Sequence, residues 1–342
     1  MTKDEFSLLK ENGKIGDKLI SDKHPEFLET HISYLLLFPD FVYKIKKSVQ
    51  LPFLDFSSLS QREKYCHQEL MLNQRTAPSI YFDVHEIRSS NGELIINGSE
   101  GDIVDYCVRL KRIDNKKEMD HLLSLGEVKV HQMDQLAKKI AHFHQRAKIV
   151  RKTQSLEHLR STYSQILEWS ETAIKNLGHS YDKILQDSCQ ISDKYLEQNI
   201  DKINARIQNG LMRDVHGDLH SHNIFLEESP IIFDCIEFDE DLRQIDLLNE
   251  VAFFLMDLDY YNATELGVHF YKQYLTYMNE AGIKGLEDEG LLDYFKMYRA
   301  SVRAKVELIS LAGSQKDNEL TMHKKNAEQY LQLVEKYAKL IV

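Results

Sequence analysis

Asp218 and Asn223 stand five residues apart, and Asp234 follows eleven residues later at the end of the apolar run Ile231-Ile232-Phe233. Phosphoryl transfer from a nucleoside triphosphate needs groups of these types. One carboxylate accepts or orients the proton of the nucleophile, an amide oxygen ligates a metal, and a second carboxylate holds that metal against the phosphates. A loop of the form H-x-D-x-x-x-x-N carries the first two, and a following hairpin carries the third. In His216-Gly217-Asp218-Leu219-His220-Ser221-His222-Asn223 this makes Asp218 the candidate base, with Asn223 and Asp234 as candidate metal ligands. His216 is read as orienting the loop. Two other accounts compete. The segment 216–234 can be a buried polar hairpin whose His and Asp residues satisfy one another. It can also be a metal-dependent hydrolase site, because His216, Asp218, His220 and His222 crowd into seven residues and imidazole and carboxylate suit zinc or iron. The hydrolase account leaves Asn223, Asp234 and any upstream lysine without a role.

The string His216-Gly217-Asp218-Leu219-His220-x-x-Asn223, followed by Ile232-Phe233-Asp234, resembles the aminoglycoside phosphotransferase and choline-kinase branch of the protein-kinase-like superfamily. More narrowly, five segments resemble a bacterial group of that branch whose substrate is unknown. They are Thr30-His31-Ile32-Ser33, Val42-Tyr43-Lys44-Ile45-Lys46-Lys47, Phe53-Leu54-Asp55-Phe56-Ser57, Asp234-Cys235-Ile236-Glu237-Phe238 and Tyr298-Arg299-Ala300-x-Val302-Arg303-Ala304-Lys305. The resemblance implies a bilobal kinase fold, ATP or another NTP, and Mg²⁺. It does not imply that the acceptor is an aminoglycoside.

Such an enzyme also needs a lysine for the α- and β-phosphates and a helical glutamate to hold it. Val42-Tyr43-Lys44 has the required spacing, and Lys46 shares its strand face because side chains alternate with period two. Lys44 is preferred and Lys46 stays open. The partner expected on the next helix is Glu69, whereas Glu63 reads as a capping residue after Ser60. No glycine occurs between residues 28 and 43, so the phosphate-covering turn falls on 29–33, with backbone N–H groups and the Thr30 or Ser33 hydroxyls as donors. The competing account makes the lysines a solvated strand face, Glu69 a surface charge, and Thr30 and Ser33 ordinary turn residues.

Further candidates surround this set. Asp246 either ties the following helix to the catalytic loop or caps that helix. Glu237 reaches a second metal or the substrate, or is a polar loop residue. Arg299 and Arg303, four residues apart, share a helix face. They border the acceptor site and favour an anionic acceptor, or they are surface charges paired with acids. His142 and His144 belong to a helix face.

The elements that must position these residues imply an α+β fold. A small N-terminal lobe, 1–114, is expected to carry an antiparallel sheet and one helix, with strands near 32–38, 41–47, 94–97 and 102–112 and the helix at 57–75. The larger lobe, 115–342, is expected to be mostly helical, with helices near 129–147, 154–176, 181–208, 241–258, 263–281, 288–312 and 318–340. It would hold the catalytic loop at 216–223 and the metal-binding hairpin to 239. Asn12-Gly13-Lys14-Ile15-Gly16 reads as a turn.

Bulk properties narrow the function class. Lys and Arg total 43 against 54 Asp and Glu, a net charge of −11, which argues against nucleic acid as partner. The cysteines at 66, 107, 189 and 235 form no C-x-x-C pair, so neither a zinc ribbon nor a disulfide framework is expected. The N-terminal residues lack the apolar stretch of a signal peptide, and no apolar run approaches the ~20 residues of a membrane span. These features point to a cytoplasmic protein. The leading expectation is a kinase with a small-molecule hydroxyl acceptor. A protein kinase or another nucleotide-dependent transferase using the same site is an alternative. A non-catalytic nucleotide-binding regulator is another, supported by the missing glycines and opposed by the intact Asp218, Asn223 and Asp234.

Overall fold

In chain order the N-terminal part forms α1 (Lys3–Asn12), β1 (Lys14–Ile15), β2 (Lys18–Leu19), β3 (Glu26–Glu29), β4 (Ser33–Leu37) and β5 (Phe41–Lys46). A short hairpin, β6 (Gln50–Leu51) and β7 (Leu54–Asp55), then leads to α2 (Leu59–Asn73), followed by β8 (Tyr81–Ser90), β9 (Glu93–Ile96) and β10 (Asp102–Lys111). The structure, a computed structural model, describes residues 1–21, 25–51, 54–314 and 316–341; Phe53, at the start of one matching segment, lies outside them. Eight strands form one sheet in the order β2-β1-β9-β8-β10-β5-β4-β3, antiparallel throughout except where β1 runs parallel to β9.

Alternation along β5 assigns the two faces of this sheet. Tyr43 and Ile45 pack with Phe6 and Leu9 of α1 and with Leu36, Ile87 and Ile96. Val42 packs on the opposite side with Cys66 of α2 and with Tyr81, Val108 and Leu110. Because side chains alternate, Lys44 and Lys46 share the α2 side with Val42. The register fixes their depth, since Lys44 lies opposite Val108 of β10 and Leu35 of β4, in the middle of the sheet.

The remaining elements are α3 (Met119–Ser124), α4 (Val130–Arg146), α5 (Leu156–Ser164), α6 (Ser170–Asn176), α7 (His179–Gln208), β11 (Met212–Asp214), β12 (Ile224–Phe225), β13 (Ile231–Ile232), α8 (Glu240–Arg243), β14 (Gln244–Asp246), α9 (Leu247–Tyr260), α10 (Thr264–Glu280), α11 (Glu289–Gly313) and α12 (Asp317–Ala338). The fold is α+β, with a sheet-rich N-terminal part and a helical C-terminal part. Every residue of α9 from Leu247 to Asp259 is buried, so this helix forms the centre of the helical part. No helix among the described residues is long and apolar enough to cross a membrane.

Several expectations need correction. The chain divides into two compact units, Met1–His121 with Asn223–Leu242 and Leu122–His222 with Arg243–Val342. The first boundary therefore falls after His121 rather than at 114, and the hairpin expected in the helical lobe belongs to the first unit. The physical reason is packing: Ile231 and Phe233 lie against the Cys66–Val108 cluster, and Leu226 N donates to Lys117 O at 2.8 Å. The expected single N-terminal helix is joined by α1, and the ten-residue strand β8 was not foreseen. Its sequence mixes charged and apolar residues on both faces and lacks clean alternation. Ser58 rather than Ser60 caps α2, accepting from Gln61 N, so Glu63 does not occupy the capping-box position. The expected turn at 12–16 contains β1. The helix expected over 154–176 is interrupted by a 3-10 segment, Gln165–Trp169.

Candidate active site

In the first unit, two lysines and three carboxylates make one continuous chain of ion pairs. Lys44 Nζ lies 2.9 Å from Glu69 Oε1 and 2.6 Å from Asp234 Oδ1. Lys46 Nζ lies 2.7 Å from Glu69 Oε2 and also pairs with Glu237. The expected Lys44–Glu69 pair is therefore formed, and Glu69 holds Lys46 with its other oxygen. The strand face is not solvated: Lys46 is 1% exposed and Glu69 is fully buried. Burial disfavours an ionised Glu69, but the two ammonium groups outweigh it and hold its pKa down at about 2. Glu237 goes the other way. Burial dominates there, Lys46 offsets it only partly, and the nearby Glu69 adds repulsion, so its pKa is raised. Glu237 is thus neither a loose loop residue nor an open metal ligand.

The end of α2 positions Asp234. Asn73, fully buried, donates from its side chain to Glu69 O at 2.9 Å and accepts from Cys235 N at 2.9 Å. Tyr81 OH accepts from Asp234 N at 3.4 Å. Asp234 adopts φ 62°, a left-handed conformation unusual for a residue other than glycine, and its side chain is 44% exposed. Asn223 is buried at the start of the same hairpin, its carbonyl accepting from Phe233 N at 3.1 Å. An amide oxygen and a carboxylate are hard oxygen donors of the kind Mg²⁺ prefers. Asp234 Oδ1 already carries a cation, the Lys44 ammonium, so its oxygen suits a positive ligand.

The turn expected over the phosphates closes on itself. Thr30 Oγ1 donates to Ser33 O at 3.1 Å and accepts from Ser33 N at 3.0 Å, while Lys47 pairs with Glu29 at 2.6 Å. The Ser33 hydroxyl is buried and has no partner among the described residues. Both hydroxyls are therefore internal to the turn, and so are two of its N–H groups, since Thr30 N donates to Ser33 O at 2.9 Å and Ser33 N to Thr30 Oγ1.

In the second unit, the segment 216–221 is held by α9. Glu250 accepts from His216 N at 2.8 Å and Gly217 N at 2.7 Å, one bond per carboxylate oxygen. Two turns further on, Asp257 accepts from Ser221 N at 2.7 Å. Gly217 sits at φ 85°, where a side chain would be strained. His216 Nδ1 accepts from Asp218 N at 3.3 Å, within the loop. His220 Nε2 lies 3.3 Å from Asp218 Oδ2, with its ring against Phe253. Burial would raise the Asp218 pKa, but His220, Arg303 and His216 prevail and hold it well below the usual carboxylate range.

Arg299 is neither a surface charge nor open to an acceptor. It is 6% exposed, donates to Gly217 O at 3.2 Å and to Asn249 Oδ1 at 2.7 Å, and lies over the Phe253 ring. Arg303 stacks on Tyr330 and contributes to the field at Asp218. Asp246 caps α9 through Leu248 N, and its carboxylate pairs with Arg206 of α7 at 2.7 Å rather than with the loop. The loop anchors Glu250 and Asp257 and the hairpin anchor Asn73 were not foreseen. The one signal for the first two is their i, i+7 spacing, two of three acids in a helix otherwise dominated by apolar residues.

No family model matches the chain. Uncharacterized proteins of Mycobacterium bovis and Mycobacterium tuberculosis are each 28% identical over 301 residues, covering 84% of this chain and 57% of theirs. The chain therefore spans little more than half the length of the curated relatives it matches. Among solved structures, choline kinase from Cryptosporidium parvum aligns over 99% of this chain and 97% of its own, with TM-score 0.57 and 12% identity. Amicoumacin kinase, solved with AMP-PNP and Ca²⁺, aligns over 96% and 93% with TM-score 0.55 and 13% identity. Glucosamine kinase with glucosamine, ADP and phosphate aligns over 93% and 82% with TM-score 0.50 and 12% identity. At these identities the likeness establishes the fold alone, a kinase-like fold shared with these three structures.

Proposed function

We propose that the chain transfers the γ-phosphoryl group of ATP, or another NTP, to a hydroxyl of a small molecule. The observation that carries this reading is the Lys44 ammonium held between helical Glu69 and hairpin Asp234. A solvated strand face or a bare polar hairpin gives no reason for that arrangement. In the proposed roles, Lys44 takes the α- and β-phosphates and Glu69 keeps it aligned. The 29–33 turn lends the N–H groups of His31 and Ile32, those of Thr30 and Ser33 being used within the turn. Asn223 and Asp234 hold Mg²⁺, which when bound neutralises charge on the phosphates. Asp218 aligns the acceptor hydroxyl and takes its proton. Glu250, Asp257 and Arg299 act only through the loop backbone.

The solved kinases of this fold act on choline, amicoumacin and glucosamine, all small molecules, which supports an acceptor of that size. With Arg299 committed to the loop, the case for an anionic acceptor falls to Arg303 alone.

Asp218→Asn tests the reading. It keeps size and removes charge, so nucleotide and Mg²⁺ binding should persist while kcat falls by roughly 10²–10⁴-fold. Turnover of an identified acceptor at the wild-type rate would refute the assigned base.

A further inference from the structure

We infer that Lys44 is the resident counter-ion of Asp234 and leaves it only when a nucleotide arrives, so that metal binding at Asp234 is conditional on nucleotide. This rests on the kinase reading above.

The ion-pair chain has a closed end and an open end. At the closed end Lys46, Glu69 and Glu237 are each no more than about 5% exposed, and the Phe56 ring covers the Lys46 ammonium at 4.8 Å. Parting any of these leaves an uncompensated buried charge, so they stay together. At the open end the side chains of Lys44 and Asp234 are 16% and 44% exposed. Lys44 is thus the one lysine of the pair that a ligand can draw away. Glu69 does not lose its counter-charge when that happens, because Lys46 remains on its other oxygen.

The consequence is electrostatic. A divalent cation on Asp234 would meet an ammonium 2.6 Å from one oxygen of the same carboxylate. Like charges at such separations repel strongly even with substantial screening. Without nucleotide, the ion partners of Lys44 among the described residues are Asp234 and Glu69, so it stays and the metal is disfavoured. Phosphate oxygens supply the competing anion. Lys44 then moves to them, still tethered by Glu69, and Asp234 is released to the metal. No bond is made or broken in this exchange of ionic partners.

Mn²⁺ titration of the full chain, followed by electron paramagnetic resonance of the free ion, tests the inference without turnover. Wild type should bind Mn²⁺ weakly alone and tightly with ADP. Lys44→Met should raise the nucleotide-free affinity by at least about tenfold. Adding Asp234→Ala to that variant should erase the gain, which locates the ion. Lys14→Met removes an equal charge from the Glu93 pair and should leave the affinity at the wild-type value. If Lys44→Met does not fold, Lys44→Gln replaces it. Nucleotide-free affinity in the lysine variant equal to or below wild type, with Mn²⁺–ADP binding intact in the wild type, overturns the exchange and leaves the kinase reading standing. No Mn²⁺ binding in any form, with or without ADP, overturns both.

Discussion

The titration of Asp218 is set by a contest between burial and three neighbouring side chains. Burial pushes its pKa up, and His220, Arg303 and His216 together push it below the ordinary value. A depressed native pKa contributes stability that is complete above the unfolded value, about 3.9, and is lost as pH falls through the native one. The Asp218 Cγ resonance should therefore stay at its ionised position down to about pH 4 and move only below that. In His220→Gln the same resonance should start to move at higher pH. Movement centred above about pH 5 in the wild type would mean that burial wins and that Asp218 is partly protonated in mild acid. Glu69 and Glu237 show how fine the contest is, since both are buried beside Lys46. Glu69 faces two lysines and is driven down, whereas Glu237 faces chiefly one and rises. Helical position points to Glu69 as a lysine partner, and the Lys44–Glu69 pair is formed, but no spacing rule reveals that Glu237 shares Lys46 through a pairing 191 residues apart.

At the scale of elements, α9 acts as a clamp on the 216–221 loop. Its apolar residues bury it among α10, α11 and α12, and that packing fixes Glu250 and Asp257 roughly 10 Å apart along the axis. Each carboxylate then accepts loop amides that would otherwise be buried without partners. Glu250→Gln and Asp257→Asn should each cost about 1.5–3 kcal/mol of stability, the range for hydrogen bonds to charged groups. Denaturant titration should find the two losses additive, because the sites are well separated. Their effects on kcat should not add, since releasing either end of one short loop already misplaces Asp218. Fully multiplicative losses in kcat for the double variant would refute the clamp. The sequence announced α9 by its apolar run but not its purpose. An acid in a buried helix is legible only once the helix is known to be buried. Asp246 shows the same limit: of its two readings the helix cap is local and is the one formed, whereas its partner Arg206 lies forty residues away on α7.

For the whole chain, the split between what was readable and what was not follows the range of the interactions. Strands β4, β5, β9 and β10 and most long helices follow from local periodicity, and the proposal of Asp218, Asn223 and Asp234 rests on spacing within one segment. The parallel β1–β9 pair, the irregular strand β8 and the grouping of the 223–242 hairpin with the N-terminal sheet all depend on contacts distant in sequence. Function at this scale can be tested by ligand linkage, because a ligand that binds only the native state stabilises it by mass action, by about 2.7 kcal/mol at a hundred times its Kd. The proposed roles make specific demands on such a scan. Mg²⁺ with ATP should raise the melting temperature, EDTA should cancel most of the rise, and Mg²⁺ alone should do little while Lys44 occupies Asp234. Asp234→Ala should lose the metal-dependent part, and Asp218→Asn should keep it, because Asp218 is assigned to the acceptor rather than to the nucleotide. A regulator that binds without catalysis would give the same shifts but no turnover with any acceptor, and no difference between wild type and Asp218→Asn in background ATP hydrolysis. Stabilisation by Zn²⁺ alone, lost when His216, His220 or His222 is replaced and indifferent to ATP, would instead move the chemistry to the histidines and overturn the kinase assignment.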